Sequence, residues 1–161
     1  MIRIASLFVA ACFMAGSAAA EPLVKVVNFT AAWCPNCRVL DPRVETAISK
    51  YAPEEVELVK VDMTDLRGKG EARKWELVQQ LKVQTEFHKV RYLWDWYGGH
   101  TGIVIMVSAD TGEPLACVTR LFTADEIADR IQEALVLTKY GPAGERRPTG
   151  PHCPPPMRPQ G

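Results

Sequence analysis

Residues 31–38 read AAWCPNCR, which places two residues between Cys34 and Cys37. An apolar, β-branched run at 23–30 comes directly before this stretch, and a helical pattern follows it to about Tyr51. At a helix N-terminus the first N–H groups are unpaired and the macrodipole is positive, so a thiolate there is stabilised. Because the thiolate is the reactive form of cysteine, this placement predicts that Cys34 is the attacking thiol and Cys37 its resolving partner.

The remaining apolar patterns predict the element order β-α-β-α-β-β-α. The first three elements predict a parallel crossover and the last two strands a hairpin, so we expect an α/β domain with a central mixed four-stranded sheet. A capping box at Thr123 and Glu126 opens the last helix. The predicted strands cover residues 23–30, 56–62, 103–107 and 115–121, the first two helices cover about 34–51 and 71–81, and an irregular aromatic segment covers 82–102.

The two ends of the chain differ in composition from the middle. Residues 1–20 combine a positive Arg3, an apolar run and a small-residue cleavage pattern, which predicts a cleaved secretory signal peptide. Seven of the twelve prolines lie in residues 141–161, so we expect a disordered, Pro-rich tail there. The domain is then residues 21–140, and the protein is periplasmic or otherwise secreted.

The charge and length of the chain limit the kinds of partner and membrane contact that we expect. The chain carries 19 basic and 19 acidic residues, and this balance gives no reason to expect nucleic acid as a partner. No segment after the signal peptide is apolar enough for a membrane span. The predicted domain is long enough for one core, and we expect a monomer.

The element order and the motif Trp33-Cys34-x-x-Cys37 resemble the thioredoxin superfamily. Thioredoxins have a proline five residues after the second cysteine, and Pro42 stands there. The resemblance covers about residues 23–139. With the export signal, the chain is most similar to periplasmic thioredoxin-like domains of thiol:disulfide interchange proteins. It implies a minimal thioredoxin-like fold, because only two residues of the expected mature chain precede the first strand.

This resemblance implies reversible thiol–disulfide exchange through a mixed disulfide. Cys34 would attack a protein disulfide and Cys37 would release the reduced product. The expected partners are protein disulfide or dithiol substrates and an upstream redox partner, and we favour the reducing, electron-carrier side. No organic cofactor is implied, because the cysteine pair carries the two electrons. The residues expected to shape the substrate groove are Trp33, Pro35, Asn36, Thr101 and Gly102.

Two positions depart from the family pattern. Thioredoxins bury an aspartate six residues before the first cysteine, where it assists proton transfer, and this chain has Asn28 there. An amide does not titrate, so water or another group would have to move the proton. The family also places a cis-proline opposite the dithiol, where this chain has Gly102. A cis bond before a residue other than proline costs about 3 kcal/mol, so we expect a trans bond and a reshaped groove.

Several residues leave alternatives open. Cys34 and Cys37 could instead bind copper or zinc with His100, in a non-catalytic module. Cys117 lies in an apolar strand and is expected to be a buried free thiol. Cys153 in the tail could form an intermolecular disulfide, bind a metal with His152, or have no role. The aromatic segment at 82–102 could dock a partner or pack against the sheet.

Overall fold

Strand β1 (Val24–Thr30) lies inside the sheet, and all seven of its residues are buried. In the computed structural model, which describes residues 21–147, 150 and 153–155, the sheet has the order β2-β1-β3-β4. Strand β1 pairs in parallel with β2 and antiparallel with β3, and β3 pairs antiparallel with β4. The other strands are β2 (Val56–Asp62), β3 (Ile103–Ser108) and β4 (Pro114–Thr119).

The helices complete an α/β fold of the thioredoxin type, as the sequence predicts. Thr123 and Glu126 form the predicted capping box at the start of the last helix. No helix of the described ranges is both long enough and apolar enough to cross a membrane. The helices are α1 (Pro35–Ile48), α2 (Glu71–Phe87), α3 (Arg91–Tyr97) and α4 (Ala124–Tyr140), with a 3₁₀ turn at Thr64–Leu66.

Strand β1 contributes to a core layer on each face of the sheet. Val24 and Val26 pack in the layer that contains the buried residues of α1 and α4, and Val27 and Phe29 pack in the layer that contains those of α3. Since side chains alternate along a strand, Asn28 lies on the same face as Val24 and Val26, towards α1. This places a buried polar side chain beside the helix that carries the cysteines.

The aromatic segment is helical, not irregular as the sequence predicts. Helix α2 continues to Phe87, and the left-handed backbone of Lys89 (φ 60°) separates it from α3. Leu93, Trp94 and Tyr97 are buried in the layer that contains the cysteines, which favours the packing interpretation for α3. Helix α2 has one buried residue, Thr85, and therefore no continuous apolar stripe. For this reason the sequence gives only a weak helical pattern in the last part of α2.

Three described residues of the tail, Arg146, Arg147 and Cys153, contact the domain, which an expectation of disorder does not predict for them. Arg146 is 5% exposed and donates hydrogen bonds to both carboxylate oxygens of Asp110, at 2.8 and 2.7 Å. The hydrogen bonding from the Arg146 guanidinium lowers the pKa of the Asp110 carboxyl. Arg147 donates to the carbonyl of Leu115 on strand β4. Composition identifies the proline content but not these charge-assisted contacts.

A second disulfide joins the tail to the sheet. Cys117 on β4 is bonded to Cys153, 36 positions later, so Cys117 is not the free core thiol that its apolar surroundings predict. The Tyr97 hydroxyl donates to the carbonyl of Pro154 at 2.6 Å, beside this bond. Residues 1–20, which carry the predicted signal peptide, and His152 lie outside the described residues.

Candidate active site

Cys34 is the N-cap of helix α1, the position that the sequence predicts for the attacking thiol. Its backbone is extended (φ −85°, ψ 115°), and its Sγ accepts a hydrogen bond from the N–H of Cys37 at 3.1 Å. Pro35 opens the helix, where its missing N–H costs nothing. The sulfur of Cys34 therefore lies where unpaired N–H groups and the helix dipole favour a negative charge.

The structure brings Cys34 and Cys37 together in a disulfide. Their Cα atoms are 5.3 Å apart, and the two residues are 3% and 1% exposed. Pro35 and Asn36, between them, are exposed. Solvent therefore reaches the short connection between the cysteines far more than the cysteines themselves.

Trp33 is held by the turn that follows strand β2. Its indole N–H donates to the carbonyl of Thr64 at 3.1 Å, and the Thr64 hydroxyl accepts from the N–H of Ala32 at 2.8 Å. The guanidinium of Arg67 lies 5.4 Å from the centre of the Trp33 ring. Thr64 and Arg67 were not predicted from the sequence. The feature that could have identified them is the parallel pairing of β1 and β2, which brings the segments after both strands to the same edge of the sheet.

Gly102 lies against the dithiol, on the side where the resemblance predicts the groove. Its N–H donates to the carbonyl of Phe29 at 2.9 Å, and its φ is +81°. A Cβ at this position would lie 2.9 Å from Asn36 Cβ and 3.7 Å from Cys34 Sγ. No cis peptide bond occurs in the described ranges, so the Thr101–Gly102 bond is trans. At Gly102 the wall of the groove is therefore formed by the backbone alone.

A family model described as Thioredoxin matches residues 15–90, which include β1, the Cys34–Cys37 pair and β2. Together with the four-stranded sheet and the disulfide at the β1–α1 junction, this match supports a relation of the chain to the thioredoxin superfamily. A thioredoxin H-type from Fagopyrum esculentum is 35% identical over 65 residues, which are 40% of this chain. The match spans about half of that relative's own length (54%).

His100, the third residue of the copper or zinc alternative, comes two positions before Gly102 in the chain. Within the described part of the chain, no three His, Cys, Asp or Glu residues lie close enough together to hold a metal ion. The backbone N–H of His100 donates to the carbonyl of Tyr97 at 2.9 Å, and its Nδ1 is buried without a partner among the described residues. No observation in this structure favours the copper or zinc alternative.

A carboxylate lies beside Asn28, at the position where thioredoxins bury an acid on β1. Asn28 is 2% exposed, and its Nδ2 donates to Asp41 Oδ1 at 3.0 Å. The Thr30 hydroxyl donates to Asp41 Oδ2 at 2.6 Å. Asp41 is on α1, four residues after Cys37, so the two side chains lie on the same face of the helix. Asp41 is not among the site residues predicted from the sequence, although its spacing of four residues from Cys37 is a signal that could have identified it.

An open cleft of about 400 Å³ runs between α1 and the end of strand β2. Cys37 and Asp41 both line it, so the buried cysteine and the carboxylate share one solvent-accessible space. Lys60 lies 3.6 Å from Glu45 in an ion pair at its edge. The charged residues that line the cleft are Arg38, Asp41, Glu45, Lys60 and Asp62.

Proposed function

We propose that this chain is an exported thiol–disulfide oxidoreductase that exchanges disulfides with protein partners. The observation that carries this proposal is the Cys34–Cys37 disulfide at the N-terminus of α1, with Cys34 Sγ accepting a hydrogen bond from the Cys37 N–H. A disulfide that only stabilised the fold would not need a sulfur at a helix N-terminus. A helix N-terminus lowers the free energy of the thiolate, which is both the nucleophile and the leaving group of exchange.

The reaction runs through two exchange steps. In the reduced protein the Cys34 thiolate attacks a sulfur of the partner's disulfide, and the other partner sulfur leaves as a thiolate. Cys37 then attacks Cys34 Sγ, which forms the Cys34–Cys37 bond and breaks the bond to the partner. The pair loses two electrons, the partner's disulfide gains them, and an upstream dithiol protein returns the pair to its reduced form.

The surroundings of the pair suit a protein substrate. Pro35 and Asn36 are exposed, and Gly102 has no side chain beside Cys34, so a polypeptide backbone can approach closely. Trp33, directly before Cys34 in the chain, is held by the hydrogen bond from its indole N–H to the carbonyl of Thr64. We propose that the reaction proceeds in the reducing direction, supported by the similarity to a thioredoxin, a class with a reduction potential of about −270 mV.

Two observations support export to an oxidising compartment. Residues 1–20 have the three-part pattern of a secretory signal. The disulfide between Cys117 and Cys153 is of the structural kind that persists in the periplasm or outside the cell. We therefore propose that the mature protein works there, as a monomer.

The proposed activity is tested by reduction of a protein disulfide, with insulin as substrate and a dithiol as the electron source. The wild type should catalyse the reaction, and Cys34→Ser and Cys37→Ser should each abolish turnover. The matched control is the double variant of Cys117 and Cys153 to serine, which removes the other disulfide and should retain turnover. A wild type without turnover, or a Cys34→Ser variant with full turnover, would overturn the proposal.

A further inference from the structure

The carboxylate of Asp41 is held by two donors from strand β1. Asn28 Nδ2 and Thr30 Oγ1 each donate to one of its two oxygens, at 3.0 and 2.6 Å. Both donors are nearly buried, at 2% and 3% exposed. Strand β1 therefore fixes the orientation of a carboxylate that belongs to the helix of the cysteines.

Asp41 differs from the other acids that line the cleft. Glu45 lies 3.6 Å from Lys60 in an ion pair, and Asp62 Oδ1 accepts from the backbone N–H of Thr64 at 2.9 Å. Among the described residues, no cation forms an ion pair with Asp41. It is also the acid of the cleft that lies one helical turn from Cys37 on the same helix face.

We propose that Asp41 takes up the proton that Cys37 loses when it resolves the mixed disulfide. This inference rests on the proposed function and assigns one of its proton transfers. The carboxylate that accepts the proton then lies on helix α1 instead of strand β1, and Asn28 on the strand holds it by a hydrogen bond. Asp41 acts through water in the shared cleft, so it is a proton-relay residue and does not touch the reacting sulfurs.

The proton balance follows from the resolving step. Cys37 has to be a thiolate to attack Cys34 Sγ, so its S–H proton must leave first or as the new bond forms. An amide at position 28 cannot accept that proton, whereas a carboxylate in the same cleft can. In the reverse direction Asp41 returns the proton to Cys37 as the mixed disulfide forms. No oxidant or reductant beyond the partner's disulfide is needed.

Asn28 provides a second observation at the same place. Its Oδ1 is buried and has no hydrogen-bond partner among the described residues, because its Nδ2 is turned towards Asp41. A buried acceptor without a donor costs about 1–3 kcal/mol, so this orientation is retained against a penalty.

The charges around Asp41 determine the choice of control. On α1 it is flanked by Arg38 and Glu45, on β2 by Lys60 and Asp62, and on β1 it faces the uncharged Asn28 and Thr30. Glu45→Gln removes one negative charge from the same cleft without touching either donor. It therefore separates a general effect of charge from an effect of this carboxylate.

The experiment follows the two exchange steps separately with 5,5′-dithiobis(2-nitrobenzoate). Full-length mature protein is reduced at the Cys34–Cys37 pair, with the Cys117–Cys153 bond checked by mass. The first release of thionitrobenzoate reports attack by Cys34, and the second reports resolution by Cys37. Both are followed by absorbance from pH 5 to 9 in the wild type and in Asp41→Asn.

The variants are expected to differ in the second release alone. Asp41→Asn should slow it about 100-fold near neutral pH, the lower end for a lost general base, and its rate should rise steadily with hydroxide. The exchange variant Asn28→Asp/Asp41→Asn keeps the hydrogen bond with donor and acceptor reversed, and should restore the rate to within about tenfold of the wild type. Glu45→Gln should keep the wild-type pH profile.

Three results would overturn the inference and leave the proposed function intact. The first is a second release at the wild-type rate in Asp41→Asn. The second is a rate in the exchange variant no faster than in Asp41→Asn, and the third is an equal loss of rate in Glu45→Gln. If Asp41→Asn does not fold, Asp41→Ser decides in its place, because it also lacks the carboxylate, and a second release at the wild-type rate in that variant would overturn the inference. Absence of the first release in the wild type would instead overturn the proposed function, and this inference with it.

Discussion

Replacing Gly102 by alanine tests whether the groove wall beside Cys34 has to be free of a side chain. The new Cβ would lie 2.9 Å from Asn36 Cβ, a distance that real Cβ atoms essentially do not adopt. Asn36 Cβ is fixed to the first turn of α1, so a side-chain rotation cannot relieve this contact. The first turn or the loop has to move, and Cys34 lies at the start of that turn.

The expected loss of stability has two parts. A left-handed backbone costs an alanine roughly 1–2 kcal/mol, and the stiffer unfolded chain returns about 0.4–1 kcal/mol. Overpacking adds about 1–3 kcal/mol. We therefore expect Gly102→Ala to lower the free energy of unfolding by about 3 kcal/mol.

Gly68 supplies the matched control for the backbone part. Its φ is +76°, close to the +81° of Gly102, but a Cβ there would meet nothing within 4 Å. Gly68→Ala should therefore cost only about 1 kcal/mol. Unfolding of both oxidised variants in urea, followed by tryptophan fluorescence, gives the two values. Equal losses in the two variants would refute the close approach of Gly102 to Asn36.

Two further predictions concern the tail. Cys153→Ser should lower the free energy of unfolding of the oxidised protein by up to about 4 kcal/mol, because the bond to Cys117 closes a loop across 36 positions; an unchanged urea midpoint would contradict this. Arg146→Gln should cost about 1–2 kcal/mol at neutral pH, since Asp110 is half exposed and its charged hydrogen bond is partly screened. Because Arg146 lowers the folded-state pKa of Asp110, this stability is present above the unfolded value of 3.8 and is lost as pH falls below it. Urea titrations between pH 3 and 7 should therefore give a flatter acid limb for the variant than for the wild type, and parallel curves would show that the pair contributes nothing.

The sheet and the position of the cysteine pair could be predicted because local patterns specify them. The continuous apolar run of β1 predicts a strand buried on both faces, and all seven residues are buried. Cys34 comes four positions after the last residue of that strand and directly before Pro35, a combination that fixes the helix start. The capping box at Thr123 is equally local, since its two partners are three residues apart.

The parts that the sequence did not reveal depend on contacts between distant residues. The bond between Cys117 and Cys153 spans 36 positions, and nothing near either cysteine identifies its partner. Helix α3 packs its aromatic residues on a layer formed by other elements, so it shows no amphipathic repeat of its own. In the sequence, nothing distinguishes Asp41 from an ordinary acid on a helix surface. The contact with Asn28 on strand β1 distinguishes it, and only the structure shows that contact.

Trapping of a mixed disulfide shows whether Cys34 is the attacking thiol. Cys37→Ser, reduced and incubated with a disulfide-containing protein, should accumulate a 1:1 covalent adduct through Cys34, because the resolving thiol is absent. Mass spectrometry of the digested adduct locates the linked cysteine, and a dithiol should release the partner. The Cys34→Ser variant should form no such adduct. Absence of an adduct in Cys37→Ser, or a linkage through Cys117 or Cys153, would contradict the assignment of Cys34 as the attacking thiol.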